Sequence, residues 1–275
     1  ERKLRWTMVR AFDMGVTAVT VAHPWLVALA RETPLKVRVG VFVGAATVEQ
    51  VRYWEDLGAD SIVLDTHVLC RDLAGIERIA MGTRIALEVP VNIGCLLRCP
   101  LARAHVARLS HSSRPGTQPM DVCARWCMEQ KRQDPTNVIR ADFIRPEDLE
   151  RYRSRGIKRF KIVDRACSTE VLVERVRAYH QRRWEGDLLE LLGPRGQPPR
   201  RRWLPVVDAL WRLGPSRAWR MLRQARQFMK LELPWSVDNH ALQGLLLPTG
   251  CAATGCEECG HCARLAALAV RARPS

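Results

Sequence analysis

The stretch Ile85-Ala-Leu-Glu-Val-Pro-Val91, followed at once by Asn92-Ile-Gly-Cys95-Leu-Leu-Arg-Cys99-Pro100, decides how the rest of the chain is read. A short, mostly apolar run that ends in turn residues predicts a buried strand. Two thiols follow it directly, and Arg103, His105, Ser110 and His111 come soon after. Thiols, imidazoles and a cation just past the carboxyl end of a buried strand are expected at the functional rim of a β/α protein.

Working outward, the same kind of apolar run recurs upstream at 16–22, 36–43 and 61–65. Helical stretches separate these runs: an amphipathic start over 1–14 stopped by Gly15, then 24–31, then a helix capped by Thr47, then 73–80. Downstream, 138–144 and 157–163 are two further predicted strands. Between them lies a helix opened by Arg145-Pro146-Glu147-Asp148, and after them a helix capped by Ser168 or Thr169. The alternation predicts an α/β fold with a parallel sheet, its strands apolar on both faces and covered by helices on both sides. No glycine-rich phosphate loop follows the early strands, which favours a (β/α) barrel-like domain over a doubly wound sheet. A closed barrel needs about eight strands, so the reading is of a barrel lacking its first strands. In such a barrel Asp65, Asn92, Cys95 and Arg165 would share the carboxyl rim.

Three regions are expected: a barrel-like domain over 1–192, a basic linker and amphipathic helix over 193–235, and a cysteine-rich tail over 236–275. The net charge is +15. From 195 to 230 ten basic residues stand against one acid, so +9 of that total lies in one segment. Its helix over 215–230 places Arg217, Arg220, Arg223 and Lys230 largely opposite Ala218, Met221, Leu222, Ala225 and Met229, with Trp203, Trp211 and Trp219 interleaved. Such a segment suits RNA phosphates and bases, or an acidic membrane surface through residues 200–230, or an ordinary solvated face.

The chain has 10 cysteines, and eight of them fall into two groups. No secretory signal is visible in a chain that starts at Glu1, so paired thiols read as metal sites in a reduced, cytoplasmic setting more readily than as disulfides. Cys95/Cys99 and Cys123/Cys127 are two Cys-x3-Cys pairs; on helices each pair shares a face, and four thiolates suit zinc or a 4Fe-4S cluster. Cys251, Cys256, Cys259 and Cys262 form a second metal-site candidate, for zinc or a second cluster, with His261 as an alternative ligand. His105 and His111 are candidate proton donors or substrate ligands. Arg103, Lys161 and Arg165 could clamp a carboxylate or pair with Asp65, Asp142 or Asp164. No Ser–His–Asp signature and no His-Glu-x-x-His helix is present. No run of about eighteen uncharged apolar residues marks a membrane span.

Taken together, three stretches resemble the collagenase-like peptidase U family: Asn92-Ile-Gly-Cys95-x3-Cys99-Pro100 with His105 and Ser110-His111; Ile144-Arg-Pro-Glu-Asp-Leu149-x2-Tyr152; and Gly156-x3-Phe160-Lys-Ile162-x2-Arg165. The upstream run Gly15 to Ala22 and the tail pair Asp238-Asn239 extend the likeness over most of the chain outside 195–230. The resemblance implies a barrel-like domain and a 4Fe-4S cluster, here on Cys95, Cys99, Cys123 and Cys127. It implies oxygen-independent hydroxylation with prephenate as oxygen donor, on a small-molecule or RNA substrate, with peptidase chemistry as the alternative the family name carries. On this resemblance His105, His111 and Arg165 are catalytic candidates, Asn92, Arg103 and Lys161 bind substrate, and a hetero-oligomer with a related subunit is a further expectation. One departure stands out: where the family has Lys-Ile-x-Gly-Arg, this chain has Lys161-Ile-Val-Asp164-Arg165.

Overall fold

The structure, a computed structural model, describes residues 1–111, 122–163, 167–192, 233–247, 251 and 255–273. Five strands form one parallel sheet: β1 (Ala18–Val21), β2 (Lys36–Val39), β3 (Ser61–Val63), β4 (Ala86–Pro90) and β5 (Ile157–Lys161). Their spatial order is their chain order. A doubly wound sheet reverses direction partway across; the described strands of this one do not. The five described strands leave β1 and β5 as sheet edges.

The connecting helices begin where the sequence supplies caps. The helix α1 (Arg2–Asp13) precedes the sheet. The side chain of His23 accepts from the Trp25 amide at 3.2 Å, and Pro24 opens α2 (Pro24–Arg31). Thr47 Oγ1 accepts from the Gln50 amide at 3.2 Å while Gln50 returns to accept from the Ala46 amide at 2.7 Å, a reciprocal cap for α3 (Val48–Asp56). The short α4 (Thr66–Leu69) follows β3, and α5 (Leu73–Gly82) leads to β4. One sheet face (Val37, Val39, Ile62, Leu64, Leu87, Val89) packs with Val27, Leu29, Val51, Ile76 and Ile79 of these helices in one buried core. Burying each such side chain contributes about 1.5–3 kcal/mol.

The opposite face differs from the expectation of strands apolar on both sides. Strand alternation places Thr20, Arg38, Ser61, Glu88 and Arg159 there. Glu88 is buried and paired with Arg38 at 3.0 Å and Arg159 at 2.9 Å. A bulge sets this up: Leu87 pairs with Ile157, but Glu88 pairs with Arg159, so Lys158 is the extra residue.

The predicted strand over 138–144 is a correction. The Asp134 side chain accepts from the Thr136 amide at 2.8 Å, and Pro135 is already helical at φ −63°. The chain therefore makes α8 (Thr136–Ile139), then a single antiparallel bridge between Asp142 and Cys95. A short apolar run fits a buried helix turn as well as a strand, and the upstream cap decides it.

Val138, Ile139 and Phe143 instead join Leu188, Leu191, Val237, Leu242, Leu265 and Ala269 in a second core. The described part of the tail thus packs on the segments 138–143 and 188–192. It contains a two-stranded antiparallel sheet, β6 (Trp235–Val237) with β7 (Val270–Ala272). The predicted linker, the basic helix over 215–230 and its tryptophans lie outside the described residues.

Candidate functional site

The polar side chains gather at the carboxyl ends of β3 and β4. Past β3, the Asp65 carboxylate caps α4 by accepting from the His67 amide at 3.0 Å. His67 Nδ1 lies 3.4 Å from the Asp142 carboxylate, which also accepts from Thr66 Oγ1 at 2.9 Å. Burial raises the Asp142 pKa, and His67 and Thr66 offset it in part. The neighbouring Cys70 is buried and its thiol donates to the Phe143 carbonyl at 3.2 Å. Burial and then Asp142 push that thiol well above its ordinary value, so Cys70 is a protonated core residue rather than a nucleophile.

Past β4, Asn92 is wholly buried. Its amide oxygen accepts from the Val163 amide at 2.7 Å and its NH2 donates to the Leu191 carbonyl at 3.3 Å. The side chain predicted to touch substrate thus ties the end of β5 to the 188–192 segment. The loop then passes through Cys95, whose carbonyl accepts from the Asp142 amide at 2.7 Å. Arg98 adopts a left-handed φ of 53°, a conformation that costs a non-glycine residue about 1 kcal/mol or more. Its amide donates to the His67 carbonyl at 2.9 Å and its guanidinium to the Cys251 carbonyl at 3.4 Å, so this loop touches both α4 and the tail.

Cys95 and Cys99 precede α6 (Ala102–His111), and Cys127 lies on α7 (Val122–Gln133). The Cys95 thiol feels those of Cys99 and Cys127. Burial pushes Cys95 up to about 12, Asp142 adds to this, and the thiols of Cys127 and Cys99 contribute further. Lys131, one helical turn beyond Cys127, donates to the Gly94 carbonyl and is itself buried. Burial lowers its pKa, against the opposing pull of Cys95, Cys127 and Asp142. Cys123 sits on α7 one turn before Cys127, as its spacing predicts; its side chain, and that of His111, lie outside the described residues. Among the described residues no three His, Cys, Asp or Glu side chains form a group that could hold a metal ion.

Arg103 on α6 reaches the Asp65 carboxylate at 3.8 Å and the Gly44 carbonyl at 3.3 Å, although its side chain is 71% exposed. Gly44 has φ 65°, and a Cβ there would fall 2.5 Å from that guanidinium. Of the alternatives the sequence left open for Arg103, pairing with Asp65 is the one seen. His105 is on the same helix, and Lys161 ends β5, its carbonyl accepting from the Val91 amide at 3.0 Å. Arg165 lies outside the described residues.

The Arg145 motif serves packing. Arg145 pairs with Asp148 at 2.8 Å in the interior and donates to the Asn239 carbonyl at 3.0 Å; Asn239 donates to Glu147 at 2.9 Å. These two parts of the resemblance thus fasten the tail to the segment 145–148.

Sequence reasoning missed His67, Lys131 and Arg71. His67 had a signal, since it lies two residues past the end of a predicted strand. Lys131 and Arg71 had none, because nothing in a lone basic residue reveals that it will be buried.

A singly wound parallel sheet with its polar groups at the carboxyl rim defines a β/α protein of the kind whose loops carry function. The family model for peptidase family U32 matches residues 2–184, and the chain belongs to that family. It is 28% identical over 190 residues to a protein of Methanocaldococcus jannaschii described as an uncharacterized protease, covering 69% of this chain and 57% of that protein. The chain therefore spans a little over half the length of this curated relative. The solved structure of the U32 peptidase Mk0906 is 25% identical, covering 60% of this chain and 62% of that one, with a TM-score of 0.43. No helix among the described residues is long and apolar enough to cross a membrane.

Proposed function

We propose that this U32 protein is an iron–sulfur enzyme that hydroxylates a small molecule or an RNA without molecular oxygen, with Cys95, Cys99, Cys123 and Cys127 as cluster ligands. One observation carries the reading: thiols from the loop after β4 and from α7, remote in sequence, lie within electrostatic reach of one another beside the buried Lys131. The donor set fits the group, since soft thiolates hold such clusters and Cys123 and Cys127 stand one turn apart along α7. When bound, the cluster supplies redox and Lewis-acid chemistry at iron. Lys131 offsets the charge of the thiolates and fixes the loop through Gly94. Arg103, Lys161 and Arg165 are the cations for the carboxylates of a donor such as prephenate. His105 and His111 are the proton-transfer groups on α6.

Peptidase chemistry is the second reading. The His67–Asp142 pair at 3.4 Å is the observation in its favour, because a carboxylate-oriented imidazole can activate water. The relative described as a protease adds weight to it.

Anaerobic purification with iron and sulfide analysis separates the two. The first reading expects about four irons and four sulfides per chain bound at this site, lost in Cys95→Ser. Iron content unchanged in Cys95→Ser would remove it. The second expects peptide cleavage by metal-free protein that disappears in His67→Ala.

A further inference from the structure

The polar face of the sheet carries a charge imbalance around Glu88. The Glu88 side chain, on β4, is only 3% exposed. Arg38 of β2 and Arg159 of β5 reach it from opposite sides, Arg38 Nε at 3.0 Å and Arg159 Nη1 at 2.9 Å, and both meet the same oxygen, Oε1. Arg159 donates an aligned hydrogen bond to it. Arg38 Nε is buried and its N–H has no aligned acceptor. Among the described residues neither guanidinium pairs with a second carboxylate. A guanidinium keeps its proton at any pH a protein meets, so one carboxylate cancels one of the two cations and leaves the other charge over. The arginine side chains are 33% and 52% exposed, so their remaining N–H groups can be reached from solvent. The bulge serves this arrangement. On an unbroken ladder Lys158 would stand opposite Glu88; the extra residue puts Arg159 there instead, a planar fork in place of a single ammonium.

We propose that Arg38 and Arg159 bind the carboxylate of a small organic acid, which becomes the second anion of an arginine–glutamate–arginine cluster. Guanidinium forks match a planar carboxylate and hold it with charge-assisted hydrogen bonds. The charge sets the class of ligand. One carboxylate cancels the cation that Glu88 leaves over, whereas a doubly charged phosphate or sulfate would leave a negative charge beside the buried Glu88. The position suits a ligand that enters from the rim. Glu88 stands two residues before Pro90, the end of β4, about 7 Å below the carboxyl edge of the sheet. The cluster uses none of the thiols, histidines or cations given roles above, so it does not depend on the iron–sulfur reading.

The test titrates the whole chain, free of metal, with sodium benzoate in a calorimeter at constant ionic strength, with sodium sulfate and sodium chloride as controls. Saturable benzoate binding is expected. Arg159→Ala and Arg38→Ala should each weaken it by about tenfold or more. Glu88→Gln removes the competing carboxylate and should tighten it by about tenfold, an effect that a purely structural ion cluster would not produce. Circular dichroism reports whether each variant is folded. Arg159 is half-exposed, so its variant keeps the test decisive even if Glu88→Gln does not fold. Absence of benzoate binding to the folded wild type would overturn the proposal. So would binding unchanged in folded Arg159→Ala, or sulfate bound as tightly as benzoate.

Discussion

Each of the two thiol groups has a thiol beside one buried cation. At the loop after β4 the cation is Lys131; in the tail it is Arg71. The difference lies in what each can do with its proton. Burial lowers the Lys131 pKa, against the pull of Cys95, Cys127 and Asp142. Arg71 remains charged, and its thiol neighbours raise its pKa in spite of burial. The two groups are therefore not duplicates of one motif.

The largest effect is expected from Arg71→Met. It leaves the Ile139 and Ala141 carbonyls and the Cys262 thiol without their shared donor, and should lower stability by about 1–3 kcal/mol for each carbonyl left unsatisfied in the interior, read by denaturant titration. A loss below about 1 kcal/mol would mean that the tail does not depend on this charge. Asp142→Asn sharpens the first site. The folded-state pKa of Asp142 is raised, so between 3.8 and that higher value the folded state holds the extra proton and stability falls as pH rises. The variant should lack this slope, which is at most about 1.4 kcal/mol per pH unit. Lys131→Met should change metal-free stability at neutral pH by no more than about 1 kcal/mol, in either direction. The Lys131 pKa is lowered from 10.5, so its burial cost is present at lower pH and fades as pH climbs towards 10.5. Denaturation midpoints of wild type and variant should accordingly draw together with rising pH, apart from a constant packing difference. Arg103→Ala should have the smallest stability effect, about 0.5 kcal/mol or less, since its pair with Asp65 is largely solvated. A rise in KM for an anionic substrate with this variant would place Arg103 in binding.

The order of strands and helices was legible because buried parallel strands are apolar and their helices carry local caps. Thr47, Ser168, Pro24 and Gly15 stand where the sequence predicts boundaries. The segment 138–144 was misread because Val138 and Ile139 belong to a helix turn fixed by Asp134 and Pro135, outside the run itself. The thiol groups were visible from spacing alone. Their buried cations were not, since whether a lysine or arginine is buried depends on contacts between residues far apart in sequence, such as Arg71 with Cys262. The packing role of Asn92 and Asn239 was hidden for the same reason: an amide reads alike whether it meets a ligand or two backbone groups.

The bulge beside Glu88 has a wider consequence. Ile157 and Phe160 both belong to the apolar core although an odd number of steps separates them, which strict alternation forbids. Lys158 absorbs the discrepancy and works as a parity correction in the strand. A chain shortened by that residue should keep both side chains in place on an unbroken ladder. A chain lengthened by one residue after Arg159 should turn Phe160 towards the arginines and lose its shape at this edge.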